Sequence, residues 1–124
     1  FRSEDFAARV EAHKVRRPAA WATVEVEDDL PGALRHIEGI ALVDSLTTWV
    51  SASAVDIDAL KDALEHREGH TILVSDEVGL GGIAMTKEGR DFADLLGNVN
   101  RGVGDIAEEV LLVIAGRVLP LEQR

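Results

Sequence analysis

The sequence predicts an α/β fold, a mostly parallel sheet with flanking helices, and three observations carry that expectation. Apolar runs at 40–43 and 72–74 and the segment "EVLLVIAG" have the length and composition of buried strands. Segments with helical periodicity separate them, as parallel crossovers require. The first two runs stop abruptly at polar residues, Asp44 in one and Ser75, Asp76 and Glu77 in the other.

With 124 residues the chain is long enough for one core and too short for two, so a single domain is expected over 1–124. Residues 3 to 16 read as a helix in which Ser3 is a cap, Glu4 and Asp5 suit the first turn, and Phe6 and Val10 share a face. Pro18 ends it. "WATVEV" alternates like a short strand, and "DDLPGALRHI" reads as a brief helix capped by Asp28 or Asp29. The run beginning at Ile40 predicts a strand buried on both faces. "DIDALKDALEHRE" is amphipathic, with Asp56 or Asp58 as cap and Leu60 and Leu64 on the core stripe. A further helix from Thr86 to about residue 99 turns Phe92, Leu95 and Leu96 inward, and "EVLLVIAG" supplies the third strand.

Composition narrows the function. The formal net charge of -10 repels a nucleic-acid backbone, so the basic residues suit small anions better than a polyanion. No apolar run reaches the ~20 residues of a membrane span. Without cysteine or a signal-peptide pattern, neither a disulfide framework nor export is expected, and a cytoplasmic location follows. Because the chain opens with Phe1 and enters helical patterning at once, a preceding segment is expected in the intact protein.

Two sets of residues carry candidate chemistry. In parallel sheets, ligands sit beyond the carboxyl ends of the strands. Asp44, Asp76 and Glu77 gather at that edge, where acids hold Mg2+ that in turn holds phosphate oxygens. The plainer account is that any buried strand ends in a polar residue where it meets solvent. The second set is basic: Arg9, His13, Arg16 and Arg17 fall within one arc of about 100° on the first helix. A neutral imidazole can attack phosphorus while guanidinium groups hold the phosphate oxygens. Spacing alone gives an anion site on a solvated helix face and no more.

The pieces "ARVEAHKVRRPAAWATVE", "LVDSLTTWV", "ILVSDEVGLG", "GRDFADLLGNVN" and "EEVLLVIAGRVLPL", in that order, resemble the bifunctional adenosylcobinamide kinase and adenosylcobinamide-phosphate guanylyltransferase of cobalamin biosynthesis. The most specific element is His13 followed by Arg17, Pro18, Trp21, Thr23 and Glu25. The resemblance implies a P-loop NTPase (RecA-like) fold, GTP and ATP as substrates with Mg2+, and adenosylcobinamide and its phosphate as further substrates. It also implies a homo-oligomer. His13 would match the histidine that accepts GMP from GTP. Lys14, Arg16 and Arg17 would neutralise the triphosphate and the leaving pyrophosphate, and Asp44 would stand near the nucleotide metal. Thr47, Thr48, Glu25 and Glu77 complete the expected nucleotide and phosphate contacts.

This chain departs from that pattern in several places. It lacks the family's first strand and Walker A loop, G-x-x-x-x-G-K-[ST], so these 124 residues are not expected to phosphorylate a substrate. The "GLGG" cluster at 79–82 lacks the lysine and hydroxyl and does not replace it. Asp76, Ser45, Ala84, Asp91 and Ala93 stand where relatives often carry asparagine, cysteine, proline and basic residues. An acid at 91 is expected to weaken nucleotide affinity. His36, His66 and His70 show no metal-ligand spacing and read as solvated, and Trp21 and Trp49 suit packing more than stacking on a base or corrin. Arg90, Asp94 and Asn100 match a family pattern on the last helix without an assigned role.

Two other readings compete. A flavodoxin-like receiver module suits the length and the acid-ended strands, but it wants a lysine at the end of a late strand where this chain has Arg117 after a glycine. A degenerate family member would have lost the kinase site and persist as a guanylyltransferase or an oligomer scaffold.

Overall fold

The computed structural model of the protein describes residues 21–123. The expected helix over 3–16, with His13, Lys14, Arg16 and Arg17, lies outside these described residues.

Helix α1 (Leu30–His36) starts where the sequence puts it: Asp29 Oδ1 accepts the Gly32 N–H at 2.9 Å. Such a cap satisfies one of the amide groups that a helix start leaves without a partner. Strand β1 (Ala41–Asp44) leads directly into α2 (Leu46–Ala52), capped by Ser45, and then α3 (Ile57–His66), whose cap Asp56 accepts the Ala59 N–H at 3.0 Å. Strand β2 (Thr71–Val74) follows, then the long helix α4 (Lys87–Ile106), where Thr86 accepts the Gly89 N–H at 3.0 Å. Strands β3 (Val110–Ile114) and β4 (Arg117–Leu121) close the chain.

β1 and β2 pair in parallel, Ala41 opposite Thr71 and Asp44 opposite Val74, with α2 and α3 in the connection between them. The α/β class with a parallel sheet and flanking helices is therefore observed. Leu34 from α1, Leu46 from α2, Leu60 from α3 and Leu96 and Val99 from α4 are the largest fully buried side chains, and Trp49 joins them with its Nε1–H donated to the Asp28 carbonyl at 2.8 Å. Each buried aliphatic side chain contributes roughly 1.5–3 kcal/mol. Helices α3 and α4 come together at Gly102, where a Cβ would lie 2.9 Å from Ile57 Cγ2.

The entrances to the two parallel strands are bound to each other. Arg67 donates to the Gly39 carbonyl and, through Nε, to Thr71 Oγ1 at 3.0 Å. Gly69, at φ +93°, has no room for a side chain, since a Cβ would lie 2.5 Å from the Gly39 oxygen.

Four details differ from the sequence expectation. Residues 21–26 form no strand: Trp21 and Val24 are exposed and only Val26 packs on the core, because among the described residues the alternation has no neighbouring strand to complete a ladder. Among the described residues, the parallel pair is covered on one face alone. Ala41 is buried, with Val43 and Leu73 packed on the core, while Leu42, Ile72 and Val74 on the alternate positions are exposed and Ile40 lies outside the strand. Period-two alternation puts those three side chains on the other face.

The third apolar strand exists, but it pairs antiparallel with β4 through a two-residue turn at Ala115 and Gly116, both at positive φ, and the resulting hairpin is a separate sheet. α4 also runs past residue 99 to Ile106, because Val99 and Val103 continue the buried stripe begun by Leu96 and outweigh the glycines of its second half.

Candidate functional site

Parallel pairing sends the carboxyl ends of β1 and β2 to the same edge. Asp44 is the last residue of β1 and faces Val74 in register, so Ser75, Asp76 and Glu77 begin one residue beyond it. Asp44, Asp76 and Glu77 are all exposed there.

The turn after β2 is bound from two sides. Thr47, on α2, accepts the Asp76 N–H at 2.9 Å. Asn100, on α4, donates Nδ2–H to the Asp76 carbonyl at 3.0 Å and accepts the Ser75 hydroxyl at 2.6 Å. Glu77 folds back so that Oε1 accepts the Gly79 N–H at 2.5 Å, which leaves its second oxygen for another donor.

Of the expected nucleotide contacts, the structure thus brings Asp44, Thr47, Thr48 and Glu77 to one edge. Thr47 and Thr48 line a shallow cleft with Ser51 and Phe92. Thr47 still holds a hydroxyl proton to donate, since its oxygen is the acceptor in the bond to Asp76. Thr48 also contributes its backbone N–H to the Ser45 cap at 3.4 Å and its hydroxyl oxygen lies 3.3 Å from Ser45 Oγ. Glu25 is exposed in the irregular segment before α1.

No group of three or more histidine, cysteine, aspartate or glutamate side chains that could hold a metal occurs among the described residues. The donor set at the edge nonetheless fits Mg2+, which keeps several waters and takes one or two carboxylates plus substrate phosphates.

Other residues have structural duties. His36 Nδ1 lies 2.8 Å from the Gly32 carbonyl oxygen, and His66 Nδ1 lies 2.9 Å from the Asp62 carbonyl oxygen, each one turn back on its own helix. Arg90 donates to the Ala84 carbonyl at 3.2 Å and ties the glycine-rich loop to α4, and Asp91 is paired with Lys87 at 2.7 Å. That lysine offsets part of the acid charge that the sequence alone leaves unbalanced. Arg117 sits at the tip of the hairpin and donates to the Ala115 carbonyl at 3.0 Å, away from the register of the parallel pair, so the receiver-type arrangement of a late-strand cation is not formed.

The role of Asn100 was not readable in sequence: only its match to a family pattern marked it, and the pairing with Ser75 and Asp76 comes from tertiary structure. No helix among the described residues is long and apolar enough to cross a membrane.

An α/β domain whose acids and hydroxyls meet at the carboxyl edge of a parallel strand pair has the arrangement of nucleotide-handling proteins. The family model for cobinamide kinase / cobinamide phosphate guanyltransferase matches residues 1–121, and the chain belongs to that family, which has a P-loop NTPase-like fold. The chain is 31% identical to the bifunctional adenosylcobalamin biosynthesis protein CobP of Pseudomonas aeruginosa, over 92% of this chain and 73% of that protein. It is 29% identical to the bifunctional adenosylcobalamin biosynthesis protein CobU of Escherichia coli and 30% identical to that of Salmonella typhimurium, in each case over 91% of this chain and 76% of the relative.

Proposed function

We propose that the protein transfers GMP from GTP to adenosylcobinamide phosphate in cobalamin biosynthesis, with His13 as the covalent carrier. The observation that supports this reading most is the meeting of Asp44, Thr47 and Glu77 at one sheet edge in a chain whose family match extends over residues 1–121.

In the first half-reaction a nitrogen of the neutral His13 imidazole attacks the α-phosphorus of GTP. The bond from that phosphorus to the bridging oxygen breaks, and the electron pair leaves with pyrophosphate. Lys14, Arg16 and Arg17 offset the charge that builds on the leaving group. In the second half-reaction a phosphate oxygen of adenosylcobinamide phosphate attacks the same phosphorus, the N–P bond breaks, and the imidazole is restored.

Thr47 and Thr48 donate hydroxyl protons to phosphate oxygens, and Glu25 and Glu77 accept from the nucleoside. Asp44 holds Mg2+, which when bound draws charge from the phosphates and fixes their orientation. Kinase chemistry with ATP or GTP belongs to the Walker A loop, a motif these 124 residues do not contain. A homo-oligomer is part of the same proposal.

The test is incubation of the intact protein with GTP labelled at the α-phosphate. The expected result is an acid-labile, base-stable label on His13 that is absent in His13→Ala. Equal labelling of His13→Ala overturns the assignment, and an oligomer that takes no label at all favours the scaffold reading.

A further inference from the structure

We propose that Asn100 is a positioning residue which, together with Thr47, clamps the turn at 75–77 beside Asp44 and so sets the spacing of the carboxylates that meet the nucleotide; the functional part of this inference rests on the transferase reading above. Beyond Val74 the parallel ladder has no further partners, and the backbone of Asp76 has left the sheet. Both of its peptide groups are nevertheless satisfied. Its N–H goes to Thr47 Oγ1 at 2.9 Å and its carbonyl receives Asn100 Nδ2 at 3.0 Å, while the preceding Ser75 hydroxyl is donated to Asn100 Oδ1 at 2.6 Å.

The two jaws stand on rigid supports. Thr47 lies in α2 between buried Leu46 and buried Trp49, and Asn100 lies in α4 next to Val99, whose exposure is 0%. A clamp built on core-anchored helices holds a turn more tightly than the turn's own residues can.

The chemistry of position 100 is specific. A primary amide donates and accepts at once, which the two contacts require. Aspartate there would keep the acceptor for Ser75 and set a negative oxygen against the Asp76 carbonyl. Alanine would leave both turn groups to water. Because Thr47 is an acceptor in this clamp, its own proton stays available to a phosphate, and one side chain serves both purposes.

The experiment uses the intact protein and compares Asn100→Ala, Asn100→Asp, Ser75→Ala, Thr47→Val and Thr47→Ser. Amide hydrogen exchange at Asp76 and Glu77, measured without nucleotide, reads the clamp itself. The KM for Mg2+-GTP in formation of the His13 label reads its functional consequence.

We expect Asn100→Ala and Thr47→Val to speed exchange at Asp76 and to raise KM by roughly tenfold to a hundredfold, with a smaller change in kcat. Ser75→Ala changes both in the same direction, and Thr47→Ser restores both. Should Asn100→Ala fail to fold, Ser75→Ala and Thr47→Val decide the matter. Unchanged exchange at Asp76 in these variants overturns the clamp, and faster exchange with an unchanged KM overturns its positioning role. A wild-type protein that takes no label overturns the transferase reading and the functional half of this inference together, while the exchange data still decide whether the clamp exists.

Discussion

Asn100 Oδ1 lies 2.6 Å from Ser75 Oγ across 25 positions of sequence, and this bond joins the longest helix to the turn that ends the second parallel strand. The edge carrying Asp44 and Glu77 is therefore built from four separate elements, the ends of β1 and β2 together with α2 and α4. Its integrity depends on the core beneath them.

Leu60 has 0% exposure at the centre of α3. Leu60→Ala removes buried methyl groups and leaves a cavity, so we expect a loss of about 2–5 kcal/mol in urea unfolding. A loss below about 1 kcal/mol would mean that the site collapses around the smaller side chain.

Gly102 lets α3 and α4 approach at Ile57. Gly102→Val should destabilise by about 1–3 kcal/mol through overpacking, despite the gain in backbone rigidity. In an Ile57→Ala background the penalty should shrink, and a double-mutant cycle measures that coupling. Additive effects would show that the contact does not limit the approach.

Trp49 donates its indole N–H to the Asp28 carbonyl at 2.8 Å and anchors the segment before α1 to the core. Trp49→Phe keeps most of the apolar contact and removes the donor. The Asp28 carbonyl keeps the Leu30 N–H at 3.2 Å, so a loss of about 0.5–1.5 kcal/mol is expected from the missing hydrogen bond, with a further contribution from the smaller ring. Thermal and urea unfolding of the two proteins check it.

Asp56 caps α3 through the Ala59 N–H. Asp56→Ala is expected to cost about 0.5–2 kcal/mol, and Asp56→Ser to recover most of it. Equal stability of all three proteins would show that water replaces the cap.

Asp44→Asn keeps the size and removes the charge at the end of β1. In the proposed reading it weakens Mg2+-GTP binding by about tenfold or more, equivalent to about 1.4 kcal/mol. Isothermal calorimetry measures it, and unchanged affinity would remove the metal role from this residue.

Much of this protein was legible in the sequence because the signals are local. Caps act on amides three residues away, so the sequence narrows them to Asp28 or Asp29 and to Asp56 or Asp58, of which Asp29 and Asp56 are observed, and the apolar runs that become β1, β2 and β3 announce themselves by composition. So does the sharp stop at Asp44. The sequence also carried the family resemblance, since its five pieces are contiguous strings.

Tertiary structure alone decided which strands pair, which face of the parallel pair is covered and how far α4 extends. It also decided that Thr47 and Asn100 meet at Asp76. The physical reason is range. Caps and periodicity are settled within a turn or two of chain, whereas the bonds to Asp76 join residues 24 and 29 positions apart. Such contacts form only after the core has brought α2, β2 and α4 together.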